Sequence, residues 1–184
     1  MKNNSNSDYE FSRPVRMGDV SETQPMNKSI EAKPNELKAL AKRFEILEVK
    51  NLVADLTLTR QMAGRMVSVK GKLSADVMQE CIVTLEPLED HLEGTFEAFF
   101  TDIKPPTPIA SEVELKDEDE APEFVKDGII DVGEVSAQFM ALEIDPYPRK
   151  EGAESDYVTA EAEDDTPVQD THRPFEVLKN LTKD

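Results

Sequence analysis

The longest regular pattern in the chain is an alternation of apolar and polar residues from Val67 to Glu86. The odd positions are almost all apolar, and the even positions, which include Lys70 and Lys72, are mostly polar. A period of two predicts a β-strand with one buried face. Because the stretch is longer than an ordinary strand, we expect a break or bulge inside it, with Gly71 and Gln79 as the candidates.

Shorter segments predict the rest of a sheet. Residues 51–60 alternate in the same way, and Gly64 then supplies a turn. Residues 95–100 read as a further strand, and residues 10–15 as a short one. The side chains expected on the buried face of the 51–60 strand are Leu52, Ala54, Leu56 and Leu58.

Two segments change to helical spacing. The first helix is predicted at residues 35–44, after Pro34 and with Asn35 as its N-cap; its apolar face is Leu37, Leu40, Ala41 and Phe44. A turn at Asp127–Gly128 precedes the second helix. Asp131, followed three residues later by Glu134, resembles a capping box. The apolar face expected for this second helix is Val135, Phe139 and Leu142.

These elements predict one α+β domain over residues 10–149, with a largely antiparallel sheet and two packed helices. Residues 1–9 are expected to be a flexible N-terminus. The insertion 104–123 and the tail 150–172 are rich in acids and poor in apolar residues, which favours disorder. Residues 173–184 predict a short amphipathic helix that begins near Pro174 and carries Phe175, Leu178 and Leu181 on one side.

Charge restricts the partners. The chain has 39 Asp and Glu against 21 Lys and Arg, a net charge of −18. Such a field repels phosphate backbones and speeds encounter with basic proteins. The N-terminus lacks the apolar stretch of a secretory signal, and no run is long and apolar enough for a membrane span. We therefore expect a cytoplasmic protein.

The residues that carry chemistry are sparse. Cys81 is the one cysteine, its position favours the apolar face, and Glu80 and Glu86 oppose a thiolate. We interpret Cys81 as structural; a reactive thiol or a metal ligand is the alternative. His91 and His172 have no second ligand at zinc spacing. The sequence therefore predicts no catalytic residues, no cofactor and no metal, and a thiol-dependent enzyme is a remote alternative.

Basic residues cluster modestly, and the candidates for contact with RNA or a partner are Lys38, Lys42, Lys70 and Lys72. Such contact would need a local positive face within an acidic protein. Ordinary solvated lysines are an equally good interpretation.

Several segments together resemble the YceD family of large ribosomal RNA subunit accumulation proteins, in the form seen in alphaproteobacteria. The most specific are QECIVTLEP (79–87) and LEIDPYPR (142–149). Many members have Cys-x-x-Cys before Leu-Glu-Pro and further cysteines near the C-terminus. Here Cys81 matches the first cysteine, but Thr84 stands at the second position, so the resemblance implies no metal site for this chain.

The resemblance implies a non-enzymatic ribosome biogenesis factor that supports large-subunit rRNA accumulation or processing. In many bacteria the family's gene neighbours that of a small basic large-subunit ribosomal protein. The expected partner is therefore precursor rRNA of the large subunit or a basic ribosomal protein. In the first case the protein contacts rRNA directly, and in the second its acidic surface holds the basic protein.

Overall fold

The computed structural model describes residues 9–61, 64–104 and 122–153. They belong to the compact unit Met1–Ala153, and the unit Glu154–Asp184 lies outside the described residues. The predictions for residues 1–8, for most of the insertion 104–123 and tail 150–172, and for the helix 173–184 also fall outside them. The domain boundaries therefore stay predictions.

The described chain forms a five-stranded sheet and a separate two-stranded ladder. The sheet has the order β2-β3-β4-β5-β6, and β1 pairs with β7 in the ladder. All pairings are antiparallel except the short parallel pairing of β5 with β6. The strands are β1 (Pro14–Arg16), β2 (Met26–Glu31), β3 (Glu48–Gln61), β4 (Met66–Glu80), β5 (Pro87–Thr101), β6 (Glu123–Phe124) and β7 (Ile129–Asp131).

Two α-helices, α1 (Pro34–Arg43) and α2 (Val132–Glu143), cover one side of the sheet, which we call the inner face. The expectation of an α+β fold with a largely antiparallel sheet and two helices is confirmed. Single-turn 3-10 helices lie at Met17–Asp19 and Lys126–Gly128. Each large aliphatic side chain buried between the layers stabilises the fold by about 2 kcal/mol. The inner-face strand residues in this core include Leu52, Leu56, Leu58, Val69, Leu73 and Val77.

A break inside the long alternating stretch is confirmed, but both candidate positions, Gly71 and Gln79, were wrong. β4 pairs with both neighbours without a register shift at Gly71 or Gln79. Gly71 has a different reason to be glycine, since a Cβ there would lie 2.2 Å from the Phe96 ring of β5. The irregularity is in β3 instead, between Val49 and Asn51. The strand ends at Glu80, because residues 81–86 turn into β5.

The first helix begins one residue earlier than predicted. Lys33, not Asn35, is its N-cap, and Pro34 is the first helical residue. Proline suits this position because its fixed φ matches a helix and its missing N–H would have no partner there. The side chain of Glu36 accepts a hydrogen bond of 2.7 Å from the backbone N–H of Lys33, which closes the first turn.

The second helix begins after Asp131, as predicted, but the predicted capping box does not form. The Asp131 carboxylate accepts hydrogen bonds from the backbone N–H groups of Gly133 and Glu134. Glu134 does not complete a capping box, because its carboxylate pairs with Arg43 through two contacts of 2.7 Å. The predicted apolar face was wrong at Leu142, which is 77% exposed. Met140 is buried in its place, while the Phe139 ring stacks on Phe96 at 4.3 Å.

The N-terminal segment is tied to the helices by polar contacts. Arg13 donates from its guanidinium to both carboxylate oxygens of Glu36 at 2.8 Å. Its backbone N–H donates to Asp131 at 2.7 Å, and the Ser12 hydroxyl also bonds Asp131. The segment 10–15 was predicted as a strand, but only Pro14–Arg16 pairs, with β7. Its conformation thus depends on side-chain contacts as well as on strand pairing.

Candidate partner-binding surface

The side of the sheet opposite the helices, which we call the outer face, carries Lys70 and Lys72. Both lysines are exposed, on the parity of β4 opposite to Val69 and Leu73. Lys70 stands between Thr57 of β3 and Glu97 of β5, with 3.2 Å between its Nζ and Oε2 of Glu97. The lysines therefore do not form an isolated positive patch.

Lys72 is likewise flanked by residues of both neighbouring strands. It stands between Asp55 of β3 and Thr95 of β5. Opposite charges on adjacent strands attract one another and reduce the potential that a distant phosphate would meet. Carboxylates outnumber cations among the outer-face residues of β3, β4 and β5. The acids are Glu48, Asp55, Asp76, Glu80, Glu89, Glu93 and Glu97; the cations are Lys70 and Lys72, with Lys50 at the irregularity of β3.

The outer face becomes most polar near that irregularity. Asp76 of β4 lies between Asn51 and His91, and its Oδ1 is 2.6 Å from Nδ1 of His91. The Asn51 amide donates to the other Asp76 oxygen. Lys50 Nζ lies 2.5 Å from Glu89 Oε1. These groups surround a concavity of about 390 Å³ lined by Lys50, Asp76, Val77, Glu89, Asp90 and His91.

Charge complementarity shifts the pKa of both members of the Asp76–His91 pair. The hydrogen bond from His91, with a second from Asn51, lowers the pKa of Asp76 below its ordinary value. The hydrogen bond to Asp76 raises the pKa of His91, and Glu93 adds to this effect. Each charged form stabilises the other, so His91 gains its positive charge at a higher pH than a free histidine.

The other two candidate lysines lie elsewhere. Lys38 and Lys42 are exposed residues of α1, one helical turn apart. Because α1 covers the inner face, these lysines and the pair on β4 lie on opposite sides of the two-layer domain. The structure therefore brings the four candidate residues together only in two separate pairs. Sequence reasoning also missed the acids that flank Lys70 and Lys72, since cross-strand neighbours depend on register.

Cys81 lies in the turn after β4 and is fully buried. Its sulfur accepts hydrogen bonds from the backbone N–H groups of Thr84, at 3.5 Å, and Lys150, at 3.4 Å. Hydrogen bonding, first from the Thr84 side chain and then from the backbone of Lys150, lowers the pKa of Cys81 to about 6. The expectation that Glu80 and Glu86 would oppose a thiolate did not include these hydrogen bonds, one of which comes from Lys150, 69 residues away in the chain.

Hydrogen bonds and an ion pair join the turn 81–86 to the segment 145–150. We call these two segments together the knuckle. Ile82 donates its backbone N–H to the Pro148 carbonyl at 3.0 Å. The Gln79 side chain donates to the Asp145 carbonyl at 2.8 Å. Lys150 Nζ lies 2.6 Å from Glu86 Oε2. Thr84, at the position where the family resemblance expects cysteine, contributes hydrogen bonds to this unit.

Metal sites and membrane spans are the two other classes of feature to consider in the described residues. Across residues 9–61, 64–104 and 122–153, no group of three or more His, Cys, Asp or Glu side chains could hold a metal ion. The histidine within these ranges, His91, is committed to Asp76, and His172 lies outside them. In the same ranges, no helix has the length and apolar character needed to cross a membrane.

Comparison with protein families gives a match to part of the chain. A family model described as Large ribosomal RNA subunit accumulation protein YceD matches residues 69–182, more than half of the chain. No curated protein and no solved structure matches it. The matched range contains most of β4, all of β5, the knuckle and α2, and it confirms the family resemblance seen in the sequence.

Proposed function

Because the chain belongs to the YceD family of large ribosomal RNA subunit accumulation proteins, we propose that it acts by binding and not by catalysis. Its outer face holds a basic protein, either a protein of the large ribosomal subunit or a factor in the assembly of that subunit. Accumulation of large-subunit rRNA then depends on delivery or protection of that protein. The acidic surface is the binding element.

The observation that carries this proposal is the excess of carboxylates on the outer face. Lys70 is paired with Glu97, whereas Glu89 keeps 72% of its side chain exposed despite its contact with Lys50. Exposed carboxylates on one face of a sheet attract cations from a distance and accelerate association. The net charge of −18 acts in the same direction. Phosphate would meet the opposite field.

The test compares two variants of the full chain with equal net charge. Glu89→Gln with Glu93→Gln removes two outer-face charges, and the control, Asp19→Asn with Glu45→Gln, removes two exposed charges elsewhere. The probe is protein extracted from purified large ribosomal subunits and freed of RNA. We expect the outer-face variant to associate several-fold more slowly at low salt, because its local field is weaker. Equal rates for both variants would remove the outer face from the proposal.

Direct contact with rRNA is the second candidate, since Lys70 and Lys72 are exposed neighbours on one side of β4. In that case Lys70→Glu with Lys72→Glu abolishes binding to a large-subunit rRNA transcript, and the salt dependence of that binding flattens. Lys38→Glu with Lys42→Glu tests whether the lysines of α1 contact the transcript. Tight transcript binding at physiological salt, without capture of basic proteins, would overturn the protein-binding proposal.

A further inference from the structure

Three large apolar side chains are exposed together on the knuckle. Ile82 is 45% exposed, Leu85 is 67% exposed and Tyr147 is 71% exposed. The hydrogen bond from Ile82 to Pro148 places the two segments side by side. Leu47, also exposed, precedes Glu48, whose partner in β4 is Met78, and so lies at the same end of the sheet. Large apolar side chains that are exposed close to one another in this way mark interaction sites.

Leu85 is an unusual choice for its backbone position. Its φ is 59°, in the left-handed region, where glycine or asparagine is favoured and a leucine is strained. Its side chain gains little from burial in the domain to offset that strain. A residue that folding disfavours, and that presents its apolar side chain to water, is better explained by contact with another molecule.

The backbone that carries these side chains is held firmly. Cys81 donates its N–H to the Glu86 carbonyl, and Leu85 donates its N–H to the Cys81 carbonyl, both at 2.9 Å. The buried sulfur of Cys81 accepts from the backbone on either side of the knuckle. A surface fixed in this way loses little conformational entropy when it binds.

Charge around the knuckle identifies the occupant. The last outer-face rows of the sheet before the turn are Met78 opposite Glu89 and Glu80 opposite Pro87. The knuckle therefore adjoins the acidic end of the outer face. A segment that covers both needs apolar side chains for the knuckle and cationic side chains for the carboxylates. A basic amphipathic protein segment has both.

We propose that Ile82, Leu85 and Tyr147 form the apolar anchor site for a basic amphipathic segment of the partner protein, with its cationic side chains on the neighbouring carboxylates. This inference rests on the proposed function and explains how the protein would distinguish its partner from other basic proteins. The outer-face charges govern encounter, and the knuckle selects segments that carry apolar side chains. Aromatic and aliphatic anchors in a fixed surface commonly provide most of the affinity.

The experiment uses two labelled peptides of equal charge: one has lysine on one helical face and leucine on the other, and the second has serine at every leucine position. Anisotropy measures their binding to the full chain. We expect the leucine peptide to bind about tenfold more tightly, as burial of one apolar anchor implies. Leu85→Asn with Tyr147→Ser should abolish this preference. Ile129→Asn, which alters an exposed apolar residue of β7, should preserve it.

Each outcome decides between the ideas. If both peptides bind equally well to the wild-type chain, the knuckle proposal fails and the charge-based function stands. If neither binds at low salt, both fail. If the wild-type chain self-associates and Leu85→Asn abolishes this, the occupant of the knuckle is a second copy of the chain. If Leu85→Asn abolishes binding to rRNA, the occupant is RNA. Either result overturns the proposal. Circular dichroism of every variant confirms that it is folded.

Discussion

The two faces of the sheet use charge in opposite ways. On the inner side, Arg43 and Glu134 form a bidentate pair, and only 8% of the Glu134 side chain is exposed. On the outer side, Lys70 and Glu97 are separated by 3.2 Å, with 63% and 36% of their side chains exposed. A buried carboxylate depends on its partner, whereas water solvates an exposed one. Outer-face charges are therefore available for a partner at little cost to folding.

The largest expected effect comes from breaking the inner pair. Arg43→Met leaves Glu134 buried without its main cation, and we expect a loss of about 2 kcal/mol in the free energy of unfolding. This is below the full cost of an unpaired buried charge, because 30% of the Arg43 side chain is exposed. Urea unfolding measures the loss. The outer-face counterpart, Lys70→Met, should change stability by about 0.5 kcal/mol or less.

The pH dependence of the stabilisation by the Arg43–Glu134 pair distinguishes lost charge from lost packing. Hydrogen bonding by Arg43 lowers the pKa of Glu134 in the folded protein. The stabilisation that the Glu134 carboxylate provides is present above its pKa in the unfolded chain. It is lost as pH falls through its pKa in the folded protein. The gap in stability between wild type and Arg43→Met should therefore narrow as pH falls below about 4.5. A gap that stays constant down to pH 3 would mean that lost packing, not lost charge, causes the effect.

A smaller effect, of opposite sign, is expected at the knuckle. Leu85→Asn relieves the left-handed strain at φ 59°, and asparagine adopts this conformation more readily than leucine. We expect the free energy of unfolding to rise by about 0.5–1 kcal/mol. Thermal unfolding provides the measurement, with Leu142→Asn on α2 as the control for loss of an exposed leucine. Destabilisation by Leu85→Asn would show that the side chain packs in the free protein.

The smallest effect concerns titration on the outer face. Since Asp76 raises the pKa of His91, nuclear magnetic resonance of the imidazole should give a value above 6.5 in wild type. Asp76→Asn should lower it. The contribution of this pair to stability is present below the unfolded histidine pKa and is lost as pH rises through the folded one. An unchanged His91 pKa in Asp76→Asn would exclude the pair as the cause.

Local periodicity predicted those parts of the fold that neighbours in sequence decide. The alternation of β3 and β4 and the start of α2 at Asp131 follow from side chains a few residues apart. The role of Gly71 could not be predicted, because it depends on the ring of Phe96, which β5 brings across from it. Likewise, the burial of Met140 in place of Leu142 follows from how α2 packs on the sheet.

The candidate surface was less predictable for the same reason. Lys70 and Lys72 were identified from the sequence, but Asp55 and Glu97 become their neighbours only through strand register. One of the two hydrogen bonds to the Cys81 sulfur comes from Lys150, which is distant in the chain. One signal for the knuckle was available: three prolines flank Tyr147 and the turn, at positions 87, 146 and 148, and proline in such density favours fixed, exposed backbone.

The pairing of β1 with β7 bears on the order in which the chain folds. The contact of Arg13 with Asp131 spans 118 residues, and that of Arg43 with Glu134 spans 91. The β3–β4 and β4–β5 hairpins, by contrast, join consecutive strands. Loop closure favours the hairpins early and delays the long-range contacts. During translation the N-terminal segment must therefore wait until α2 has left the ribosome, and weakening its contacts should accelerate unfolding more than it slows folding.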